Sequence, residues 1–180
     1  MKTNKTLSIL FSSLFLLTLA MSCKTEPTGP SEAHLQMESA QNELAANLDM
    51  YEKTWDLIIN KGEIDQINES NFDQNITLVT SPENVVGIEG FKAYYQNYLT
   101  GFSNVEFTIV DVFGQGDKIV KHWNFKGTHS GEFFGIPATD KDVDIDGVTL
   151  VKMKDGKIAQ EQDFMDNYVF LMQLGLIPEE

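Results

Sequence analysis

The sequence predicts an α+β domain in which a curved antiparallel sheet wraps around N-terminal helices. Two stretches before residue 100 have apolar residues at helical spacing, whereas the chain after Gly101 alternates with the period of two that is typical of strands. A last helical stretch follows the strands. Helices, a strand meander and a closing helix indicate an α+β fold. A sheet curved around the first helix would bury its apolar stripe and leave a cavity at the open end.

The first helix is predicted over residues 36–60. Its apolar stripe recurs every three or four residues and comprises Leu44, Leu48, Tyr51, Trp55, Ile58 and Ile59. Gly62 is a natural helix stop. Residues 63–69 can form a second short helix, followed by a strand over 76–80 and a turn at 81–84. A third helix is predicted over residues 88–99.

Four strands then form a predicted meander over residues 105–113, 119–127, 141–153 and 157–165. The glycine-containing segments 114–117 and 155–156 are hairpin turns. Residues 129–134 extend the second of these strands or begin a bend. Residues 167–174 form the closing helix, which ends before Gly175 and Pro178.

The N-terminus has the layout of a bacterial secretory signal. Lys2 and Lys5 precede an apolar stretch from Leu7 to Ala20, which is too short for a comfortable membrane span. The segment resembles a lipoprotein signal, with Leu19–Cys23 as its lipobox and Ala20 where Leu is common. We therefore expect residues 1–22 to be removed and Cys23 to be lipidated, so that the protein is exported and anchored in the bacterial envelope. An ordinary secretory signal with an incidental cysteine is the alternative.

The predicted domain organisation is a signal peptide over 1–22, a flexible tether over 23–35 and one domain over 36–180. The tether is rich in Pro, Gly, Ser and Thr. Loss of the signal would remove two lysines and no acid, which makes the mature chain two charges more negative than the full chain at −14.

Composition excludes several classes of function. All 13 basic residues are lysine, against 27 acidic residues, which argues against nucleic acid as a partner and leaves the lipid anchor as the expected membrane contact. The single cysteine cannot form an internal disulfide or a cysteine-rich zinc site. The sequence has no zinc spacing of His and Glu, no phosphate loop and no G-x-S-x-G elbow, so we expect neither a metal nor another cofactor.

The C-terminal half resembles the SnoaL-like polyketide cyclase (ester cyclase) family of the nuclear-transport-factor-2-like superfamily. The resemblance rests on three linked stretches, His122–Pro137, Asp155–Ile158 and Asp166–Gly175, and it extends from about Leu44 to Pro178. It implies a cone-shaped α+β barrel with a ligand cavity at its wide end. The superfamily also contains proteins that only bind small molecules, so the fold alone does not imply an activity.

The resemblance implies that an inward-facing aspartate on the last strand acts as acid/base in an intramolecular aldol closure. The matching position is Asp166, and Gln162 stands where the family commonly has Trp. Uninterrupted alternation would place Gln162, Phe164 and Asp166 on one strand face with Ile158 and Gln160. The alternative for Asp166 is an N-cap of the closing helix.

Further candidate site residues lie on the elements expected around the cavity. His129 is predicted either to assist Asp166 as an acid/base pair or to bond backbone within the 127–131 bend. The aromatic side chains are expected to be mostly core, with some contacting a flat hydrophobic ligand. The candidate ligand contacts are Tyr51, Trp55, Phe72, Tyr98, Trp123, Gln162 and Phe164.

The run from Asp142 to Gly147 imitates the opening of a calcium loop. The position that should supply a bidentate Glu is Met153, and Asp142, Asp144 and Asp146 alternate with Val143 and Ile145 as a half-exposed strand requires. A solvated strand face is therefore the favoured interpretation over calcium binding.

Three hypotheses for function follow. The first is an anchored domain that binds a small hydrophobic, aromatic or carbonyl compound and carries out cofactor-free cyclase, isomerase or dehydratase chemistry. The second is a binding lipoprotein without catalysis. The third is an interaction domain whose exposed sheet face pairs with a partner or a second copy, since sheet-face homodimers are common in the superfamily.

Overall fold

The computed structural model describes residues 29–178, so the predicted signal and residues 23–28 of the predicted tether, including Cys23, lie outside the described residues. Residues 37–178 form one compact unit of helices and a single sheet. In chain order the elements are α1 (Glu32–Trp55), a π-helical turn (Asp56–Asn60), a 3₁₀ turn (Ile64–Gln66), β1 (Phe72–Leu78), β2 (Val85–Val86), α2 (Ile88–Gly101), β3 (Phe102–Gln115), β4 (Lys118–His129), β5 (Asp142–Lys154), β6 (Lys157–Met165) and α3 (Asn167–Gln173).

The predicted stripe of the first helix is its packed face. Tyr51 and Trp55 are buried, and Leu44 and Leu48 are partly buried. The helix continues into the π-helical turn, in which the adjacent Ile58 and Ile59 are both buried. Predicted residues 63–69 form only a single 3₁₀ turn, and β1 begins four residues before the predicted strand.

The six strands form one sheet in the order β2-β1-β6-β5-β4-β3. The four strands of the predicted meander, β3 to β6, pair antiparallel with their neighbours in the sheet. The exception to antiparallel pairing is β1, which joins the sheet parallel to β6. Register irregularities interrupt β3 against β4, β5 against β6 and β1 against β6, and such bulges bend and twist a sheet. The α+β fold with a curved sheet and packed helices is therefore confirmed.

The core lies between the inner sheet face, α1 and α2. Its largest fully buried side chains include Trp55, Tyr51, Phe72 and Phe91. Trp55 contacts Phe72, Phe91 and Tyr95, with ring centroids 6.5, 6.3 and 4.6 Å apart. This aromatic packing fixes the side of α1 that faces β6, where the polar groups of the interior are found.

Candidate functional site

A β-bulge in β6 decides which of its side chains face the interior. Met153 of β5 pairs with Ile158, and the preceding residue of β5, Lys152, pairs with Gln160. Ala159 is thus an extra residue without an opposite partner. A bulge of one residue reverses the alternation of the strand beyond it. Ile158 is buried before the bulge, and Glu161 is buried after it.

The bulge places Gln162 and Phe164 on the outer sheet face. Gln162 pairs with the exposed Leu150, and Phe164 is 50% exposed. The prediction that both residues line the cavity is corrected, because it assumed an uninterrupted alternation along β6. The inward positions belong instead to Glu161 and Asp163, whose carboxylates face α1, α2 and β5.

Glu161 is fully buried and contacts three polar side chains, two of which donate hydrogen bonds to it. Tyr51 Oη donates to Oε1 at 2.6 Å, Trp55 Nε1 donates to Oε1 at 3.1 Å, and Tyr95 Oη lies 3.2 Å from Oε2. Burial raises the pKa of Glu161 to about 7, against the opposing effect of the Lys121 charge and with a further rise from Asp163. Near neutral pH this buried group is therefore poised between its two protonation states.

Asp163 lies at the cavity wall and is only partly buried. Thr149 Oγ1 donates to its Oδ1 at 2.5 Å, and Tyr95 Oη donates to its Oδ2 at 3.0 Å. Thr149 in turn accepts a hydrogen bond from Trp123 Nε1 at 3.0 Å. The Asp163 carboxylate is therefore held in one orientation by residues of α2, β4 and β5 and is reachable from the cavity.

Tyr95 bridges the two carboxylates. A tyrosine hydroxyl has one proton to donate and also accepts a hydrogen bond. When Glu161 is protonated, it can donate to Tyr95 while Tyr95 donates to Asp163. The nearby carboxylates and burial raise the pKa of Tyr95 well above its ordinary value, with burial as the larger cause, so the hydroxyl keeps its proton. The three residues form a continuous hydrogen-bonded chain from the interior to the cavity.

Lys121 is the buried lysine of the site, with 3% of its surface exposed. Its Nζ lies 4.3 Å from the ring centroid of Trp55, 5.2 Å from that of Tyr51 and 5.4 Å from that of Phe107. Burial lowers the pKa of Lys121, and the Glu161 and Asp163 charges oppose this effect. None of the hydrogen bonds or ion pairs found among residues 29–178 uses its Nζ.

These groups surround a small aromatic cavity. Its volume is about 40 Å³, and about 420 Å³ of empty space is present when the open mouth is included. Its walls are predominantly aromatic and aliphatic, with Lys121 and Asp163 as the charged groups. The lining residues are Trp55, Ile59, Tyr95, Tyr98, Phe107, Lys121, Trp123, Phe125, Ile145 and Asp163.

Gly147 allows one cavity wall to form. It lies opposite Trp123 in the β4–β5 ladder, and a Cβ placed on Gly147 would lie 2.1 Å from Trp123 Cζ2. The indole therefore packs directly over the glycine backbone, and its Nε1 reaches Thr149. Only a residue without a side chain permits this close approach.

Comparison with known proteins agrees with this architecture. The family model of the SnoaL-like polyketide cyclases matches residues 46–174, which is more than half of the chain. The chain belongs to the SnoaL-like polyketide cyclase family. No curated protein is significantly similar to it in sequence.

Solved structures share the SnoaL-like fold. TsrD from Streptomyces laurentii is 24% identical with a TM-score of 0.66, and the match covers 73% of this chain and 97% of TsrD. A candidate polyketide cyclase from Bacillus cereus ATCC 10987 is 27% identical with a TM-score of 0.63, over 77% and 86% of the two chains. A ketosteroid isomerase-like protein from Catenulispora acidiphila DSM 44928, solved with trimethylamine, is 18% identical with a TM-score of 0.57, over 69% and 92%.

In this SnoaL-like domain the structure does not bring Asp166 and His129 together at the cavity. Asp166 is exposed at the N-cap of α3, where its Oδ1 accepts a hydrogen bond from Val169 N at 3.1 Å. This is the alternative that the sequence left open for Asp166. The catalytic role assigned to Asp166 by the family resemblance thus has no support from its position.

His129 is fully buried in an aromatic cluster and is not one of the cavity-lining residues. Its ring centroid is 5.3 Å from that of Phe102 and 6.2 Å from that of Phe133. Its Nδ1 is 3.0 Å from Thr139 Oγ1, and its Nε2 has no hydrogen-bond partner among the described residues. The expected acid/base pair with Asp166 is therefore replaced by a packing position between aromatic rings.

Some of the other aromatic candidates line the cavity, and the rest pack behind the lining residues. Trp55, Tyr98 and Trp123 line the cavity. Tyr51 lies behind the wall as a donor to Glu161, and Phe72 packs against Trp55 within the core. That the lining residues contact a ligand remains a prediction.

Sequence reasoning missed the polar residues of the site. Lys121 has the same strand parity as Trp123 and Phe125, and this parity was a signal that it faces inward. Glu161 and Asp163 had no comparable signal, because the Ala159 bulge breaks the pattern and no Gly or Pro marks it. Tyr95 and Thr149 gain a role only through contacts with those carboxylates.

The acidic run on β5 is a solvated strand face. Asp142 accepts a hydrogen bond from Thr128 Oγ1 at 2.7 Å, and Asp144 pairs with Lys126 at 3.2 Å. Among residues 29–178, no group of three or more His, Cys, Asp or Glu side chains is arranged to hold a metal ion. Within the same range, no helix combines the length and apolar character needed to cross a membrane.

Proposed function

We propose that this SnoaL-like domain binds a small hydrophobic carbonyl compound and transfers protons to and from it, with Asp163 as the acid/base residue. The observation that carries this proposal is an oriented carboxylate in the wall of an aromatic cavity. Such a group can remove a proton next to a carbonyl and return it at another position. Cyclase, isomerase and dehydratase reactions share this step, and none of them requires a cofactor.

The cavity walls favour an apolar ligand with one polar end. Trp55, Tyr98 and Trp123 offer flat apolar surfaces, and the Lys121 Nζ is close enough to the same space to stabilise a developing oxyanion. A cavity of about 40 Å³ takes a ligand of a few heavy atoms at its base, and larger ligands extend into the mouth.

The Glu161–Tyr95–Asp163 chain supports repeated proton transfer. A proton taken up by Asp163 can pass through the Tyr95 hydroxyl to Glu161, whose pKa of about 7 makes it an acceptor near neutral pH. Asp163 is then restored as a base by groups of the protein itself. In this reaction Glu161 has a positioning and relay role, and Asp163 contacts the ligand.

Ligand binding can be followed by intrinsic fluorescence, because both tryptophans of the chain, Trp55 and Trp123, line the cavity. We expect acetone and cyclohexanone to shift the tryptophan emission maximum saturably. Ile145→Phe fills the cavity from β5 and should abolish the saturable shift while circular dichroism shows a folded protein. A shift that only grows linearly, equal in both proteins, would refute binding in the cavity.

Binding without turnover is the principal alternative. Both hypotheses predict the same saturable shift in tryptophan emission. Binding alone, however, predicts that proton exchange on a bound ketone is not accelerated. Replacement of Asp163 would then change affinity only. The acid/base proposal requires instead that Asp163→Asn loses turnover while a ketone still binds.

Export and lipid anchoring at Cys23 form the cellular part of the proposal. They rest on the signal-like residues 1–22 and on the single cysteine of the chain at the lipobox position. We expect the wild-type chain to fractionate with bacterial membranes and Cys23→Ser to be released into the soluble fraction. Membrane association that is unchanged in Cys23→Ser would contradict the anchor.

A homodimer through the outer sheet face is a second proposal, supported by exposed apolar side chains. Val110, Phe113, Leu150 and Phe164 are 53%, 56%, 44% and 50% exposed. Phe113 pairs with Val120, which pairs with Leu150, so these three residues form one row across β3, β4 and β5. Contiguous exposed apolar side chains mark interaction surfaces, and a twofold dimer would bring this row of one copy against the same row of the other.

A further inference from the structure

Lys121 has an amine in the cavity that could react covalently, and proton transfer by Asp163 makes no use of this reactivity. It is the one lysine among residues 29–178 that is buried, and its Nζ faces the cavity without a hydrogen-bonding partner among those residues. A buried lysine is expensive to keep charged, and its usual compensation is a close ion pair. Here the carboxylates of Glu161 and Asp163 are held by Tyr51, Trp55, Tyr95 and Thr149 instead.

We propose that Lys121 is a nucleophile that forms a covalent iminium with a small aldehyde or ketone in the cavity. This inference rests on the proposed function, because it uses the same cavity and the same class of ligand. It assigns to Lys121 a bond to the carbonyl carbon, in place of a purely electrostatic role at the carbonyl oxygen.

The step is balanced by groups already present. The lone pair of the neutral Lys121 amine attacks the carbonyl carbon and forms the C–N bond, while the carbonyl π electrons move to oxygen. Asp163 removes a proton from nitrogen and returns it to that oxygen, which gives a neutral carbinolamine. Protonated Glu161 supplies a second proton, which passes through the Tyr95 hydroxyl and Asp163 to the carbinolamine hydroxyl, and water leaves as the nitrogen lone pair forms the C=N bond of the iminium.

Two features of the surroundings favour this chemistry. Burial lowers the pKa of Lys121, which raises the fraction of neutral amine near pH 7. The product iminium is a cation, and the rings of Trp55, Tyr51 and Phe107 lie within 5.4 Å of the nitrogen. The adjacent carboxylates stabilise the same charge.

An iminium would also change the reaction that Asp163 carries out. The positive nitrogen withdraws electrons from the neighbouring carbon more strongly than a carbonyl oxygen does, so the α-proton becomes easier to remove. The enamine formed in this way is a carbon nucleophile. Lys121 and Asp163 together would support C–C bond formation or cleavage of the aldol type on small carbonyl compounds.

Reductive trapping tests the proposal on the full chain. The protein is incubated near pH 7 with acetone and sodium cyanoborohydride, which reduces an iminium to a stable secondary amine, and peptide mapping by mass spectrometry locates the adduct. We expect the adduct to form first at Lys121 and the exposed Lys126 to stay largely unmodified at that time, because burial leaves more of the Lys121 amine neutral and the cavity holds the ketone beside it. Lys121→Met should lose this adduct, and Lys126→Met should keep it.

Failure of this inference is distinguishable from failure of the proposed function. Adducts spread over exposed lysines, with Lys121 unmodified although ketones shift the tryptophan emission, would overturn the iminium and leave the cavity as a binding site. An adduct at Lys121 without proton exchange on the ketone would support the nucleophile and count against acid/base turnover. Mapping of the wild-type protein decides the question even if Lys121→Met does not fold.

Discussion

Glu161 and Asp163 are two carboxylates separated by one residue, and they lie in different surroundings. Glu161 has no exposed surface and three hydrogen-bonding partners, whereas Asp163 lies at the cavity wall. A pair of titratable groups in contrasting environments is a common basis for acid/base chemistry. In this protein the contrast is created within a single strand, by the depth at which each side chain enters the interior.

Glu161 should make the stability of the protein depend on pH. The pKa of Glu161 is about 7 in the folded chain against 4.5 for an unperturbed glutamate, so the folded state binds more protons between these pH values. The free energy of unfolding therefore falls as pH rises from about 4.5 to about 7. Glu161→Gln removes this titration, and its stability relative to wild type should increase by about 1–3 kcal/mol across that window.

Urea unfolding of both proteins at pH 4.5 and pH 7.5 measures this difference. Glu52→Gln, an exposed change on α1, serves as the matched control and should show a constant difference from wild type. A stability difference between Glu161→Gln and wild type that is the same at both pH values would show that Glu161 titrates normally in the folded protein.

Individual site residues were predictable only where strand parity was intact. On β4 the alternation continues without interruption from Ile119 to His129, and it places Trp123 and Lys121 on the inner face. Trp55 was predictable from the stripe of α1. Asp163 was not predictable, because uninterrupted alternation places Asp166 on the inner face and Asp163 on the outer face, and the bulge at Ala159 turns Asp163 inward.

At the scale of elements, β4 and β5 form one wall of the cavity, and the bulge in β6 turns the Asp163 carboxylate toward it. Trp123 packs over Gly147, and Thr149 links the Trp123 indole to the Asp163 carboxylate. The glycine in the Asp-rich stretch thus has a packing role, although the sequence pattern alone suggested the opening of a calcium loop. The helices and the four-strand meander were predictable from periodicity, while β2 and the parallel placement of β1 depend on contacts distant in sequence.

Gly147→Ala should displace Trp123. The added methyl group would lie 2.1 Å from the indole, so we expect a loss of about 1–3 kcal/mol in the free energy of unfolding and a shifted tryptophan emission. In a Trp123→Phe background the same substitution should cost clearly less, because the smaller ring leaves room. Equal costs in the two backgrounds, measured by urea unfolding, would show that the contact does not determine the effect.

At the scale of the whole molecule, the two faces of the curved sheet carry different kinds of side chain. Its inner face holds the cavity and the carboxylates, and its outer face exposes apolar side chains of β3, β5 and β6. The general fold and the existence of a cavity followed from the sequence because they depend on periodicity and on family resemblance. The identity of the charged groups in the cavity could not be predicted from the sequence, because it depends on the local irregularity of β6.

The outer face predicts a concentration-dependent dimer. Sedimentation equilibrium of the wild-type chain should show self-association, and Phe113→Lys or Leu150→Lys should shift it to monomer, because each places a charge within the apolar row. Val86→Lys changes an exposed side chain on β2 and serves as the control. A wild-type monomer at every concentration, or dimers that persist in both lysine variants, would contradict the proposed interface.

We propose that Asp163, and not Asp166, transfers protons in this SnoaL-like domain. The most direct test is the rate at which the α-protons of acetone exchange in D₂O, followed by NMR with wild type, Asp163→Asn and Asp166→Asn. Asparagine keeps the N-cap of α3, so Asp166→Asn is a matched change outside the cavity. We predict that wild type and Asp166→Asn accelerate exchange equally and that Asp163→Asn lowers the acceleration by about 10²-fold or more. Retained exchange in Asp163→Asn together with its loss in Asp166→Asn would contradict the claim.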